Sequence, residues 1–117
     1  MKDPITFADY AKVEVRVGKI VAAEVPEGSE KLIKFSVDFG PSASSGSNEI
    51  RIIFSGIKEW YNPEELVGVT TIWVTNIPPK KTPFGESQGM LFACDTVDGK
   101  PYIVKISDDV PLGSEFH

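Results

Sequence analysis

From Lys12 the chain alternates strictly between polar and apolar positions. Val13, Val15 and Val17 fall on one side and Lys12, Glu14 and Arg16 on the other, the period of a half-buried strand. Gly18 interrupts the run with no turn signal after it, and Lys19 to Val25 continue it. A glycine inside so long a strand predicts a bulge or sharp coil, which lets one strand serve both halves of a small barrel. Pro26-Glu27-Gly28-Ser29 is a turn, and a second strand runs from Leu32 to Phe39 with Ile33, Phe35, Val37 and Phe39 on one face. The segment Pro41 to Asn48 holds four serines, a glycine and a proline and reads as a mobile hairpin loop. Ile50, Ile52 and Phe54 then mark a third strand, with Arg51 on its polar side.

Helical signals are brief. Thr6 caps a short turn with Asp9 at the third position. Asn62-Pro63-Glu64-Glu65 combines a cap, a proline at the first helical position and a glutamate placed to reach back, and Gly68 ends that helix within about two turns. Val69 to Thr75 is a fourth strand, rich in β-branched residues and containing Trp73. Met90 to Thr96 and Tyr102 to Ile106 flank Asp98-Gly99, a strong hairpin signal. Five or six short strands with a helix between the third and fourth predict a small antiparallel barrel, and that helix position fits an OB-fold.

The 117 residues suit a single domain spanning 1–117. The absence of a long apolar run or signal pattern predicts a cytoplasmic protein. Cys94 has no partner for a disulfide and is expected to act as a small core residue. Catalysis is not expected. The sole histidine is the terminal His117, so the bases that activate serine or cysteine nucleophiles are missing, as are cysteine and histidine clusters for zinc. No glycine-rich phosphate loop joins a strand to a helix, and no metal or cofactor is expected.

Net charge is −5, but its distribution is uneven. Residues 1–81 carry 10 basic and 11 acidic side chains, a balance of −1, whereas residues 82–117 carry 2 and 6, a balance of −4. A local basic patch in the first part is therefore compatible with an acidic chain. The most unusual stretch is Asn76 to Met90 (NIPPKKTPFGESQGM), in which three prolines stiffen a loop around Lys80 and Lys81. Such a loop holds cations in a fixed array suited to a folded polyanion; equally, it is a rigid connector with solvated lysines.

Several stretches carry a family resemblance in a fixed order. They are Phe7-Ala8-Asp9-Tyr10 with Val13 to Ile20, Gly28 to Leu32, Val37 to Gly40, Ile53 to Ile57, Asn76 to Lys81, and Phe84 to Met90. Together they resemble the tRNA-binding domain found free-standing, at the C-terminus of methionyl-tRNA synthetases and fused to other synthetases, with a related branch of bacterial secretion chaperones. The resemblance implies an all-β, five-stranded Greek-key OB-fold barrel with a C-terminal extension. It also implies a homodimer formed through the N-terminal segment and that extension, and recognition of the outer corner of tRNA with little dependence on sequence. An aminoacyl-tRNA synthetase is an implied partner; the alternative branch would bind unfolded polypeptide in a dimer groove.

Carried over residue by residue, the resemblance points to Lys31, Arg51, Ser55, Asn76, Lys80, Lys81, Ser87 and Met90 as RNA-binding positions. Lys31, in the loop between the first two strands, suits a phosphate contact. Arg51 suits a bidentate phosphate or base contact or a cross-strand ion pair. Asn76 suits a base edge or closure of its own turn. Ser87 and Met90 offer a hydroxyl and an apolar platform, with Met90 alternatively in the core. Two features depart from the family pattern. Thr82-Pro83 stand where an additional basic residue is common, and the 41–49 loop is longer and lacks positive charge. Both, with the net charge, imply weaker or more salt-sensitive RNA binding.

Overall fold

The computed structural model describes residues 1–117. Strand β1 (Val15–Glu24) is the axis of the fold. It pairs antiparallel with β2 (Ile33–Pro41) through residues 19–24 and with β4 (Thr70–Val74) through residues 15–19. One strand thus serves both halves, as the long alternation predicts. The bulge, however, lies at Val21, between Ile20 and Ala22, and not at Gly18. Gly18 is small for a different reason: a β-carbon there would stand 2.6 Å from Val37, 2.8 Å from Phe39 and 2.9 Å from Trp73. The indole of Trp73 lies against this bare backbone and donates from Nε1 to the Gly18 carbonyl at 3.1 Å.

The sheet continues with β3 (Asn48–Ser55) beyond β2 and β7 (Met90–Leu91) beyond β4, giving the order β3-β2-β1-β4-β7. The curled sheet closes by one backbone bond and two side-chain bonds where a full ladder is missing. Gln88 donates its backbone N–H to Ile52 O and accepts the Ile52 N–H through Oε1, both at 2.8 Å; the Ser87 hydroxyl accepts the Phe54 N–H at 3.0 Å. The result is an OB-fold: a five-stranded antiparallel barrel with α2 (Pro63–Leu66) between β3 and β4. Glu65 reaches back to the Asn62 N–H at 2.9 Å, as the capping pattern predicts, although the helix is a single turn. At the other end of the chain, the Thr6 hydroxyl caps α1 (Phe7–Tyr10) at 3.1 Å.

Ile33, Phe35, Val37 and Phe39 fill the barrel from β2 as expected, joined by Ile20, Ile53, Ile57, Leu66, Trp73 and Leu91. In β3 the periodicity marks the strand but points outward. Ile53 is the fully buried residue and pairs with Phe35, which puts Ile50, Ile52 and Phe54 on the outer face. Arg51 pairs with Val37, so it lies on the inner face and not on a solvated polar side. Ile52 and Phe54 are used, because a hairpin folds against them, while Ile50 stays exposed.

The last third is more fragmented than its alternation implies. The expected strands over 90–96 and 102–106 reduce to β7 and a short hairpin, β8 (Cys94–Asp95) and β9 (Pro101–Tyr102), around the expected Asp98-Gly99 turn. Phe92 and Ile106 both donate to β4 carbonyls, at Ile72 and Thr70, so the chain is shared between the barrel and its own hairpin. Cys94 is exposed, not a core residue, because this hairpin stands away from the barrel interior. A final strand, β10 (Glu115–Phe116), returns to pair with Val15 and Arg16 of β1.

Candidate nucleic-acid interface

Between β4 and β7 the stiff segment folds into a two-stranded hairpin, β5 (Lys80–Thr82) and β6 (Gly85–Ser87). Its tip is fixed by one residue: the Thr82 hydroxyl donates to Gly85 O at 2.7 Å and accepts the Phe84 N–H at 3.1 Å. Its base is fixed by Ser87 and Gln88, which close the barrel. The hairpin is therefore held at both ends, and Lys80 and Lys81 are displayed on its outer strand, exposed. None of the protein's ion pairs engages Lys31, Lys80 or Lys81. Their charges are available to an external anion.

Five of the eight expected positions present accessible side chains close in the register of the sheet. Lys31 is exposed two residues before Ile33, the partner of Ser55 at the end of β3. Lys80 is the partner of Ser87, whose hydroxyl bonds the residue before Ser55. Ser55 and Met90 line one groove of about 500 Å3 together with Ile57, Trp60 and Phe92. Met90 is 49% exposed, so it is a surface platform and not a core residue.

The other three spend their polar groups on bonds within the protein. Arg51 pairs with Glu49 at 2.5 Å, donates to Thr75 O at 2.7 Å and Gln88 O at 3.2 Å, and lies over the Phe39 ring. Its guanidinium clamps the mouth of the barrel. Asn76 closes no turn of its own: Oδ1 accepts the Glu14 N–H at 2.8 Å and Nδ2 donates to Lys12 O at 2.5 Å. It ties the N-terminal segment to the end of β4, a bond between residues 62 and 64 apart that local sequence cannot signal. The Ser87 hydroxyl, buried, accepts from Phe54 and donates to Gly89 O at 3.0 Å. Ser87→Ala is expected to strand the Phe54 N–H and lower the unfolding free energy by about 1–3 kcal/mol, measured by denaturant titration.

Beside the Arg51 clamp, Glu14 accepts from the Thr75 hydroxyl at 2.5 Å and pairs with Arg16 at 2.9 Å. Hydrogen bonding to Arg16 first, and to Thr75 second, holds the Glu14 carboxyl below its ordinary 4.5. The same contact with Glu14 raises Arg16 above its ordinary range. A carboxyl whose folded pKa is depressed contributes stability above its unfolded pKa and loses it as pH falls through the folded value. Wild type is therefore expected to lose more stability than Glu14→Gln as pH is taken below 4.5, measured by denaturant titration at stepped pH.

Sequence reasoning missed the residues on the hairpin's other side. A second groove, about 340 Å3, runs between the hairpin and the outer face of β3, lined by Lys34, Ile52, Phe54, Pro79, Phe84, Gly85, Glu86 and Gln88. The signal for it was the run Ile50, Ile52, Phe54, whose outward phase follows once Ile53 is assigned to the core.

A family model described as "Putative tRNA binding domain" matches residues 15–115. The chain belongs to the tRNA-binding domain family. It is 44% identical over 97 residues to the methionine–tRNA ligase of Burkholderia ambifaria, a match covering 83% of this chain and 13% of the ligase. The chain thus corresponds to a small part of that enzyme. A methionyl-tRNA-synthetase-related protein from Pyrococcus horikoshii superposes with a TM-score of 0.88 at 36% identity, covering 99% of this chain and all of that one (100%). The chaperone CsaA of Bacillus anthracis gives a TM-score of 0.82 at 24% identity over 98% of this chain and 100% of its own, a likeness of fold. The family match runs from the start of β1 to the first residue of β10, and the hairpin lies within it.

Proposed function

We propose that the chain is a tRNA-binding module that reads the shape of the outer corner of tRNA with little dependence on base sequence. The observation that carries this reading is the unpaired Lys80–Lys81 pair on a hairpin fixed at tip and base, within the family match. Lys31, Lys80 and Lys81 contact phosphates; Ser55 and Met90 offer a polar and an apolar contact in the adjoining groove. Arg51, Asn76 and Ser87 act by holding the barrel mouth, the N-terminal segment and the hairpin in place. Positioning is the whole of the action, with no bond made or broken, so residues 1–117 work as one binding domain.

The module works as a homodimer, in the cytoplasm, alone or as an accessory to methionyl-tRNA synthetase. Support for the dimer comes from exposed apolar residues at both termini. Helix α1 buries none of its residues, leaving Phe7 82% and Tyr10 54% exposed beside Ile5, while Tyr102, Val104 and Phe116 are exposed in the C-terminal extension. A single helical turn is not stable alone in water, so its order calls for a packing partner. The kinship with methionine–tRNA ligases supports the synthetase association.

The test is titration with native tRNA, with an unstructured RNA of equal length, and with a reduced, unfolded polypeptide. Native tRNA is expected to bind tightest. Equal affinity for the unstructured RNA defeats shape recognition, and preference for the polypeptide favours the chaperone activity. Sedimentation at tens of micromolar is expected to give a dimer; a monomer defeats that part.

A further inference from the structure

The groove between the hairpin and the outer face of β3 is separate from the one holding Ser55 and Met90. The segment 86–92 divides them: Glu86 and Gln88 line the first, Met90, Leu91 and Phe92 the second, and Ser87 and Gly89 are buried between. At the mouth of the first groove stands Phe84, 37% exposed at the hairpin tip. Its backbone is pinned by Thr82, so the ring is presented without a large entropic cost of ordering. Ile52 and Phe54 form the facing apolar wall, and Pro79 and Gly85 border it.

Polar groups are placed around this apolar slot. Gln88 lines the slot and spends Oε1 on Ile52, while its side-chain N–H groups make no bond within the protein. Lys34 lies on the β2 side, 3.7 Å from Glu24. Lys81 is the register partner of Glu86, so both lie on the same side of the hairpin. A carboxylate lining the slot disfavours a phosphate inside it, while Lys34 in its lining and Lys81 on the Glu86 side of the hairpin set cations at its edge; Lys80 falls on the hairpin's other face with Ser87. That arrangement fits a chain of alternating charge and flat apolar rings. The volume of about 340 Å3 falls near the low end of small-molecule sites, which run from about 300 to 1,000 Å3.

We propose that this groove receives one unstacked RNA base against the face of Phe84, with the flanking phosphates on the lysines and the base edge toward Gln88 and Glu86. The proposal rests on the tRNA-binding reading and adds to it a second contact, independent of charge. A base laid on an aromatic ring is sequence-tolerant, since every base has a π-face, and its contribution does not depend on counterion release.

The experiment compares tRNA affinity and its salt dependence in wild type, Phe84→Ala, Phe84→Leu and Phe84→Trp, with thermal unfolding as a folding control. Phe84→Ala and Phe84→Leu are expected to weaken binding roughly tenfold with the salt slope unchanged, and Phe84→Trp to keep or exceed wild-type affinity. The leucine variant retains apolar volume without a stacking face, so loss there identifies stacking. Wild-type affinity in the alanine variant overturns the groove assignment and leaves the tRNA reading intact. Equal behaviour of leucine, alanine and tryptophan variants also overturns it. Loss of unfolded-polypeptide binding with tRNA binding retained assigns the groove to polypeptide instead. No tRNA affinity in wild type overturns the underlying reading and this inference together.

Discussion

Lys80→Ala/Lys81→Ala is expected to weaken tRNA binding roughly tenfold or more and to make the slope of log K against log salt shallower by about two. Two phosphate contacts release two fewer counterions, so the affinity loss shrinks as salt rises. Stability is expected to be unchanged, because neither lysine makes an ion pair and both are exposed on β5. Binding isotherms at several salt concentrations, with denaturant titration of the same variant, check both halves. An affinity loss with no change in slope assigns the lysines a shaping role instead of a phosphate contact. The contrast with Ser87→Ala is informative: that change acts on the support of the hairpin and so is expected in the unfolding free energy.

Trp73→Ala is expected to cost about 3–5 kcal/mol, a large share of the roughly 5–15 kcal/mol that holds a domain folded. Trp73 is fully buried, meets Phe35 edge-on at 5.9 Å between ring centroids, and holds the Gly18 carbonyl through its indole N–H. Its removal empties the centre of the barrel and takes a donor from the Gly18 carbonyl on β1, the strand that joins both halves. Denaturant titration is expected to show a much lower midpoint. Trp73→Phe keeps part of the packing without the hydrogen bond and is expected to fall between the two. The bare backbone at Gly18 is the complement of this side chain, which explains why the strand carries a glycine where no bulge occurs.

Much of the barrel was legible because its signals are local. The β2 alternation, the Asn62 cap with Glu65, the Asp98-Gly99 turn and the double use of β1 all rest on residues within one element or its flanks. The misreadings arose where a distant partner decides the outcome. Ile50, Ile52 and Phe54 alternate like a core face, but Ile53 takes the core position opposite Phe35, Ile52 and Phe54 lie against the hairpin, and Ile50 is left exposed. Asn76 has no local mark of its bonds to residues 12 and 14. Of the candidate interface, the lysines were legible from charge between prolines. The inward commitment of Arg51 was not, since its acceptors are the main-chain oxygens of Thr75 and Gln88. Phe84 stayed hidden for the same reason: its facing wall comes from a strand thirty residues earlier.

The most direct measurement is amide chemical-shift mapping on titration with native tRNA. Perturbations are expected to concentrate at Lys31, Lys80, Lys81, Phe84, Ser55 and Met90, the exposed positions of the hairpin and its adjoining loops. Smaller, indirect shifts are expected at Arg51 and Asn76. Saturation with tRNA that leaves the hairpin amides unmoved, or perturbations confined to the acidic residues 94–117, contradicts the account.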